Sequence, residues 1–330
     1  MTAKECLLFR MIEFPSENAT LRGKLYVPLA ASSQAPLAPL VTIAHGFSAT
    51  IHGMTADRYA EVFQDAGFAV LLYDHRNFGI SDGEPRQEIN CWIQARDHRD
   101  AINFAETLPE VDPDRIAIYG DSSSGGEVLV VGALDSRVKA IVAQVPACGR
   151  ELPPEDPDGA LFAQLGESFL TGDVSGTTET TKGPLPVVSF DQLGDPAFLE
   201  PITAFRWIIE YGARFGIKWQ NWATTVTPAT PAPFHPVLCA PYLKAPVLIV
   251  ISPEDEMPGA NPAVTRVVYQ LAPEPKELFE IDAGHFGLVY YPSPIFDQSS
   301  GICSGKRITK PLPASPLGHS RLHALGEKSR

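Results

Sequence analysis

Tyr119-Gly120-Asp121-Ser122-Ser123-Ser124-Gly125-Gly126 follows directly on the apolar run Ile116-Ala117-Ile118. An apolar run that ends in Gly-X-Ser, with small residues beyond it, predicts a strand turning sharply into a helix. Gly120 permits the tight turn, and the small residues after Ser122 let helix and strand pack closely. Such an elbow lifts the serine hydroxyl out at the C-terminal edge of a sheet, with the next N–H aimed at whatever the hydroxyl attacks. The spacing is irregular: Ser124 stands where Gly is usual, and Gly125-Gly126 follow. Three serines in a row also occur in plain loops. The rest of the chain must therefore supply the partners a nucleophilic serine needs.

Working outward, strand-like and helix-like patterns alternate. Leu7–Phe14 and Leu21–Val27 predict an opening hairpin, and Leu40–Ala44 a buried strand. Asp57–Ala66 has helical spacing, Phe68–Tyr73 is strand-like, and Trp92–Leu108 carries a helical apolar stripe. Ser124–Ala133 is the helix after the elbow and Val138–Val145 the next strand. Continuous apolar strands alternating with helices imply a mostly parallel, doubly wound α/β sheet covered on both faces. The pattern breaks over 147–185, rich in Pro, Gly, Asp and Thr, then gives an amphipathic helix over 196–215 and a proline-rich stretch over 223–246. It resumes with a strand at Val247–Ile251, a helix near Pro262–Leu271 and a strand at Glu277–Ile281. The expected organisation is a core of residues 1–146 and 236–305 with an inserted cap over 147–235. Residues 306–330 hold six Lys/Arg and one acid, show no apolar period, and are expected to be a disordered tail.

Composition narrows the function. With 330 residues and 44% hydrophobic side chains, a large core can form. A net charge of −13 argues against a nucleic-acid partner. The five cysteines, at 6, 91, 148, 239 and 303, are odd in number and form no CxxC or Cys/His spacing. They read as free thiols in a reducing compartment, without structural zinc. No leader-like segment and no run long enough for a membrane span stands out, so a cytoplasmic location and no membrane partner are expected. Neither a metal nor a cofactor is expected: HExxH and P-loop patterns are missing. Oligomeric state is not readable.

A serine hydroxyl needs a base, a group to orient that base, and donors for the oxyanion. The candidate base is His285, in a Gly-containing loop just past a predicted strand. His235 falls in the proline-rich stretch, and His319 and His323 in the tail. The bland alternative for His285 is a surface-loop histidine. The candidate acid is Asp255, in the turn after Val247–Ile251; Glu254 and Glu256 flank it, so the assignment can be off by one, and a solvated turn is the plain alternative. The order Ser122, Asp255, His285 is that of α/β hydrolases. The backbone N–H groups of Phe47, in His45-Gly46-Phe47-Ser48, and of Ser123 are the oxyanion candidates. Asp74 and Arg76 read as structural loop residues. Asp121 is a nucleophile only under a one-residue reframing that breaks the Gly spacing. Trp207, Tyr211, Trp219 and Trp222 are candidates for substrate lining, although cap aromatics equally build a cap's own core.

His45-Gly46-Phe47, the stretch Tyr73–Arg86 and Gly120–Gly126 resemble the dienelactone-hydrolase-like and X-Pro-dipeptidyl-peptidase-like α/β hydrolases, above all the fungal polyketide transferases and thiohydrolases. The resemblance covers roughly residues 5–304. It implies that Ser122, Asp255 and His285 act on an ester or thioester of a polyketide-like acyl group, with a carrier protein as a possible presenter. The outcome is hydrolysis or transfer to an alcohol. A non-hydrolytic lyase or cyclase, and a binding protein on the same fold, are the readings from other classes. Asp121 departs from the family, which has a small or hydroxylated residue before the serine.

Overall fold

The computed structural model describes residues 9–28, 37–52, 54–191, 194–214 and 218–305. Leu7 and Leu8 of the expected hairpin, Cys6, Phe215 at the end of the expected cap helix, and the tail with His319 and His323 lie outside the described residues.

Alternating burial opens the described chain. Strand β1 (Phe9–Ser16) buries Ile12, Phe14 and Ser16 and exposes the residues between them. It pairs antiparallel with β2 (Ala19–Tyr26). Then come β3 (Ala38–Ala44), α1 (Ala56–Asp65), β4 (Ala69–Tyr73), β5 (Glu88–Ile89), α2 (Cys91–Ala105), β6 (Val111–Asp121), α3 (Ser123–Leu134) and β7 (Val138–Gln144). The remainder comprises α4 (Ala160–Thr171), β8 (Thr181–Leu185), α5 (Ile202–Gly212), β9 (Ala223–Val226), α6 (Pro236–Cys239), β10 (Val247–Ile251), α7 (Pro262–Leu271), β11 (Lys276–Glu280), α8 (Gly284–Gly287) and α9 (Pro294–Cys303).

Eight strands form the main sheet in the order β1-β2-β4-β3-β6-β7-β10-β11. The two joins made by β2 are antiparallel; those from β4 onward are parallel. Every residue of β4 is buried, as a strand covered on both faces requires. One face is closed by α2, α3, α4, α6 and α7, through side chains such as Trp92, Ile102, Val128, Leu165, Phe169 and Val268. The other is closed by α1, α5 and α9, through Tyr59, Phe63, Trp207, Ile208, Tyr211 and Phe296.

The inserted stretch departs from its sequence reading in three ways. First, α4 lies inside the stretch 147–185 where the alternating pattern breaks; its flanks are rich in Pro and Gly, but Leu165 and Phe169 anchor it in the first core. Second, α5 starts at Ile202 rather than 196, because Pro201 precedes it with an extended ψ of 140°. Third, β5, β9 and β8 form a small second sheet in that order. Its strands are short and, apart from Ile89, Ala223 and Val226, carry few buried apolar groups, so no period betrays them. The insertion thus shares its helices between the two faces of the core.

Buried polar contacts tie helices to the sheet. His98 of α2 lies 2.6 Å, through Nε2, from the Thr42 hydroxyl of β3, and both residues are fully buried. Burial pushes the His98 imidazole down to about 3. The folded chain therefore keeps His98 neutral while the unfolded chain protonates it below about pH 6.5. This contribution to stability is full above pH 6.5 and is lost as pH falls toward 3. We expect His98→Gln to flatten the fall in the urea midpoint between pH 6.5 and 4, by up to about 1.4 kcal/mol per pH unit in the derived stability.

Candidate active site

The elbow is built as its sequence requires. Ser122, between β6 and α3, has φ 56° and ψ −118°, a strained conformation for a residue with a side chain. Two backbone bonds pin it: the Ser122 N–H donates to the Gln144 carbonyl at 2.9 Å, and the Ala147 N–H donates to the Ser122 carbonyl at 2.7 Å. At Gly120 a Cβ would lie 2.3 Å from the Ser124 carbonyl oxygen, so only glycine lets α3 leave β6 so sharply. Ser124, the irregular position of the motif, is fully buried, and its hydroxyl donates to the His45 carbonyl. It ties α3 to the end of β3.

The loops after β10 and β11 bring the other two groups in. His285 Nε2 is 2.9 Å from Ser122 Oγ, and its Nδ1 is 2.8 Å from Asp255 Oδ2. A carboxylate only accepts, so Nδ1 carries the proton and Nε2 is left to accept from the serine hydroxyl. Asp255 Oδ1 also accepts the Met257 N–H at 2.8 Å. The flanking acid has a separate task. Glu256 Oε2 accepts the His285 backbone N–H at 2.6 Å, and its Oε1 accepts the Thr203 hydroxyl of α5 at 2.5 Å. Asp255 therefore faces the ring and Glu256 holds the main chain, a distinction that neighbouring acids in a sequence do not carry. Beneath the histidine loop, the Tyr59 hydroxyl lies 2.9 Å from both Gln144 Oε1 and the Leu288 carbonyl, joining α1, β7 and the segment after α8. His235 is spent elsewhere, accepting the Val237 N–H at the start of α6.

Phe47 follows β3 and lines the chamber, and Ser123 opens α3 directly after Ser122. Among the described residues, neither backbone N–H donates to another protein group. Asp74 accepts the N–H groups of Ile51 and Ile80 at 2.8 and 2.9 Å, and Arg76 bonds Asp97, Glu17 and the Ser16 carbonyl. Both hold loops together. Behind the elbow, Glu127 of α3 is buried, which raises its carboxyl well above the usual range, opposed by the Ser123 hydroxyl.

The serine and histidine open into a small chamber of about 40 Å³, walled mainly by Phe47, Leu199, Trp207, Ile208, Met257 and Phe286. That space holds little more than a water molecule. A second, largely apolar hollow of about 540 Å³ lies outside, bounded by Phe205, Ile209 and Tyr290. Trp207 and Phe286 line both, with ring centroids 5.7 Å apart. Of the four aromatic residues expected to line a substrate site, Trp207 lines the chamber beside Ser122 and the outer hollow. Tyr211 is core, its hydroxyl bonded to the Tyr291 carbonyl and accepting the Tyr291 N–H. Trp219 packs on Gly212 and bonds Ser48, and Trp222 faces solvent beside Gln220. An aromatic residue in an insertion carries no sign of which way it points. Leu199, Met257 and Phe286 also line the chamber, and no sequence motif marks them for it. A polar hollow of about 1060 Å³ lies away from the serine, and its Arg76, Arg86 and Arg96 are already bonded to acids or carbonyls. No group of three His, Cys, Asp or Glu among the described residues is placed to hold a metal ion, and no described helix is long and apolar enough to cross a membrane.

This strand order and elbow match a known pattern. The family model for the alpha/beta hydrolase fold matches residues 39–291. The chain belongs to the α/β hydrolase family. It is therefore an enzyme, with the largely parallel sheet and flanking helices of that fold. Among curated relatives, this α/β hydrolase is 36% identical to the quorum-quenching protein AidA of Acinetobacter baumannii over 135 residues, 41% of this chain and 43% of that protein. It is 38% identical to the thiohydrolase aneE of Aspergillus aculeatus over 130 residues, 39% of each chain. Those two alignments span less than half of either relative. The match to the polyketide transferase af380 of Aspergillus fumigatus is longer, 29% over 282 residues, 83% of this chain and 88% of that protein. Among solved structures, the alpha/beta hydrolase GrgF from a Penicillium species superposes with a TM-score of 0.63 at 23% identity, over 90% of this chain and 98% of that one. At that identity the likeness concerns the fold. Dienelactone hydrolase from Anabaena variabilis gives 0.51 at 16%, over 90% and 95%.

The geometry of the elbow is open to a direct test. Gly120→Ala places a methyl against backbone that cannot move aside, and we expect a loss of roughly 2–4 kcal/mol in a denaturant titration, with Ser122→Ala folding normally.

Proposed function

We propose that this α/β hydrolase cleaves an ester or thioester of a polyketide-like acyl group through an acyl-enzyme on Ser122. The observation that carries this is the hydrogen-bonded chain Ser122–His285–Asp255, at 2.9 and 2.8 Å, opening into a chamber with mainly apolar walls. The thiohydrolase and polyketide transferase names of its relatives support the substrate class. In this reading residues 147–235 act as the cap over a core of 1–146 and 236–305, and a carrier protein can present the thioester.

The steps follow from the geometry. Ser122 Oγ forms a bond to the acyl carbon while His285 Nε2 takes its proton. Asp255 keeps the ring oriented and stabilises the imidazolium. The carbonyl oxygen becomes an oxyanion facing the N–H groups of Phe47 and Ser123. Collapse breaks the C–S or C–O bond, and the leaving thiol or alcohol departs with the proton from His285. Water, or an alcohol, then adds to the acyl-enzyme with His285 as base, and Ser122 recovers its proton. The largely apolar hollow of about 540 Å³ beside the chamber has room for an acceptor larger than water, which supports transfer to an alcohol as the second reading.

Intact-mass spectrometry with a panel of acyl thioesters and esters tests the chemistry. We expect a covalent adduct that Ser122→Ala abolishes, and a rate loss of about 10³–10⁴-fold in Asp255→Asn. Substantial turnover by Ser122→Ala would instead favour a lyase or cyclase using His285 alone. Acyl groups larger than acetyl need Trp207 to move. Trp207→Ala is expected to raise the kcat/KM ratio of bulky over acetyl thioesters by about 10-fold, the scale of one or two buried methylenes.

A further inference from the structure

Asp121 is the one residue of the elbow to which the chemistry above gives no task. It closes β6, and its carboxyl turns toward the chamber rather than away from it. A Cβ placed on Gly46 would lie 3.0 Å from Asp121 Oδ2 and 3.0 Å from Ser122 Cβ, so these two atoms are at most about 6 Å apart. Both Asp121 and Gly46 line the chamber with Ser122 and His285. The residue is half-buried. Burial pushes its carboxyl up, while His45, His285 and the backbone N–H groups of Gly46 and of Asp121 itself favour the charged form.

Its situation differs from that of the other acids near the site. Asp255 is bonded to His285 and to the Met257 N–H, and Glu256 to the His285 N–H and to Thr203. Asp121 bonds to no side chain among the described residues. Apart from Ser122 and His285, the other side chains lining the chamber are apolar, and His45 acts on the carboxyl from beside it. The backbone N–H groups of Gly46 and Asp121 satisfy part of the carboxyl, and a carboxylate has acceptor positions beyond these two. A substrate seated in the chamber supplies a further donor. Charged or neutral, a carboxyl oxygen accepts from a hydroxyl.

We propose that Asp121 is a specificity residue that accepts a hydrogen bond from a hydroxyl close to the scissile carbonyl. The inference rests on the reading of Ser122 as the nucleophile. With the acyl carbon on Ser122 Oγ, a hydroxyl one or two carbons along the acyl chain comes within reach of Asp121. An acceptor alcohol has one O–H proton, which goes to His285 as base, so the donor to Asp121 is a hydroxyl of the acyl chain. The same acid repels an acyl group that carries a carboxylate there.

The experiment reads a ratio within each enzyme, so a change in overall rate does not enter: kcat/KM is compared for 3-hydroxybutyryl and butyryl thioesters of N-acetylcysteamine. We expect the wild type to favour the hydroxylated thioester by roughly 10–100-fold. Asp121→Ala should bring that ratio near one, and Asp121→Asn, which keeps an acceptor oxygen, should keep part of it. Equal ratios in wild type and both variants, or no wild-type preference for the hydroxylated thioester, overturn the proposal. Labelling with a fluorophosphonate separates the two readings. A wild-type serine that labels without hydroxyl preference removes only the role of Asp121, whereas an unlabelled, inactive Ser122 removes both. If the alanine variant does not fold, the asparagine variant decides by the same ratios.

Discussion

The backbone at Ser122 is the constraint from which the rest of the site follows. A non-glycine residue at φ 56° and ψ −118° costs on the order of 1–3 kcal/mol, and it stays there only because its surroundings leave no alternative. Those surroundings are the end of β7, which takes up both the N–H and the carbonyl of Ser122 through Gln144 and Ala147. The same Gln144 receives hydrogen bonds from Tyr59 and Ser299 through its side chain. One strand end thus holds the serine from its main chain and steadies the helices under the histidine loop from its side chain. The strain at the serine and the packing of α1 and α9 are parts of one arrangement.

The insertion between β7 and β10 matters for the same reason. Its α4 joins one face of the core and its α5 the other, where Trp207 and Ile208 close the chamber. Thr203 of α5 also bonds Glu256, which holds the main chain of His285. The helix that walls the chamber is therefore mechanically connected to the base. Through that acid, α5 with Trp207 and the main chain of His285 are held together.

Charge is placed economically around the serine. Asp74 and Arg76, the most conspicuous charged residues after β4, are consumed by loop backbone and by Asp97 and Glu17. Asp255 and Glu256 are adjacent in sequence yet serve the ring and the peptide of the same histidine. Asp121 alone points its carboxyl into the apolar chamber without a side-chain partner, which is why it bears on what the chamber accepts.

Much of this was legible in the chain. Buried parallel strands need continuous apolar runs, so β3, β4, β7 and β10 announce themselves. The elbow needs Gly120 and small neighbours, so its local sequence is distinctive. The order of Ser122, Asp255 and His285 along those strands then places three candidates at one sheet edge. The short strands of the second sheet, the helix α4 within a proline-rich stretch, and the choice of Trp207 over Tyr211, Trp219 and Trp222 were not legible. Periodicity reports which face of an element is buried, not what buries it, and an insertion has no sheet to fix its direction. The sequence by itself determined the doubly wound core and the residues that can meet at its edge, because backbone geometry and apolar periodicity are local. Only the tertiary structure decided which of three adjacent acids turns to the imidazole, which aromatic residue closes the chamber, and that Asp121 faces inward, because each depends on what a side chain meets from a distant part of the chain.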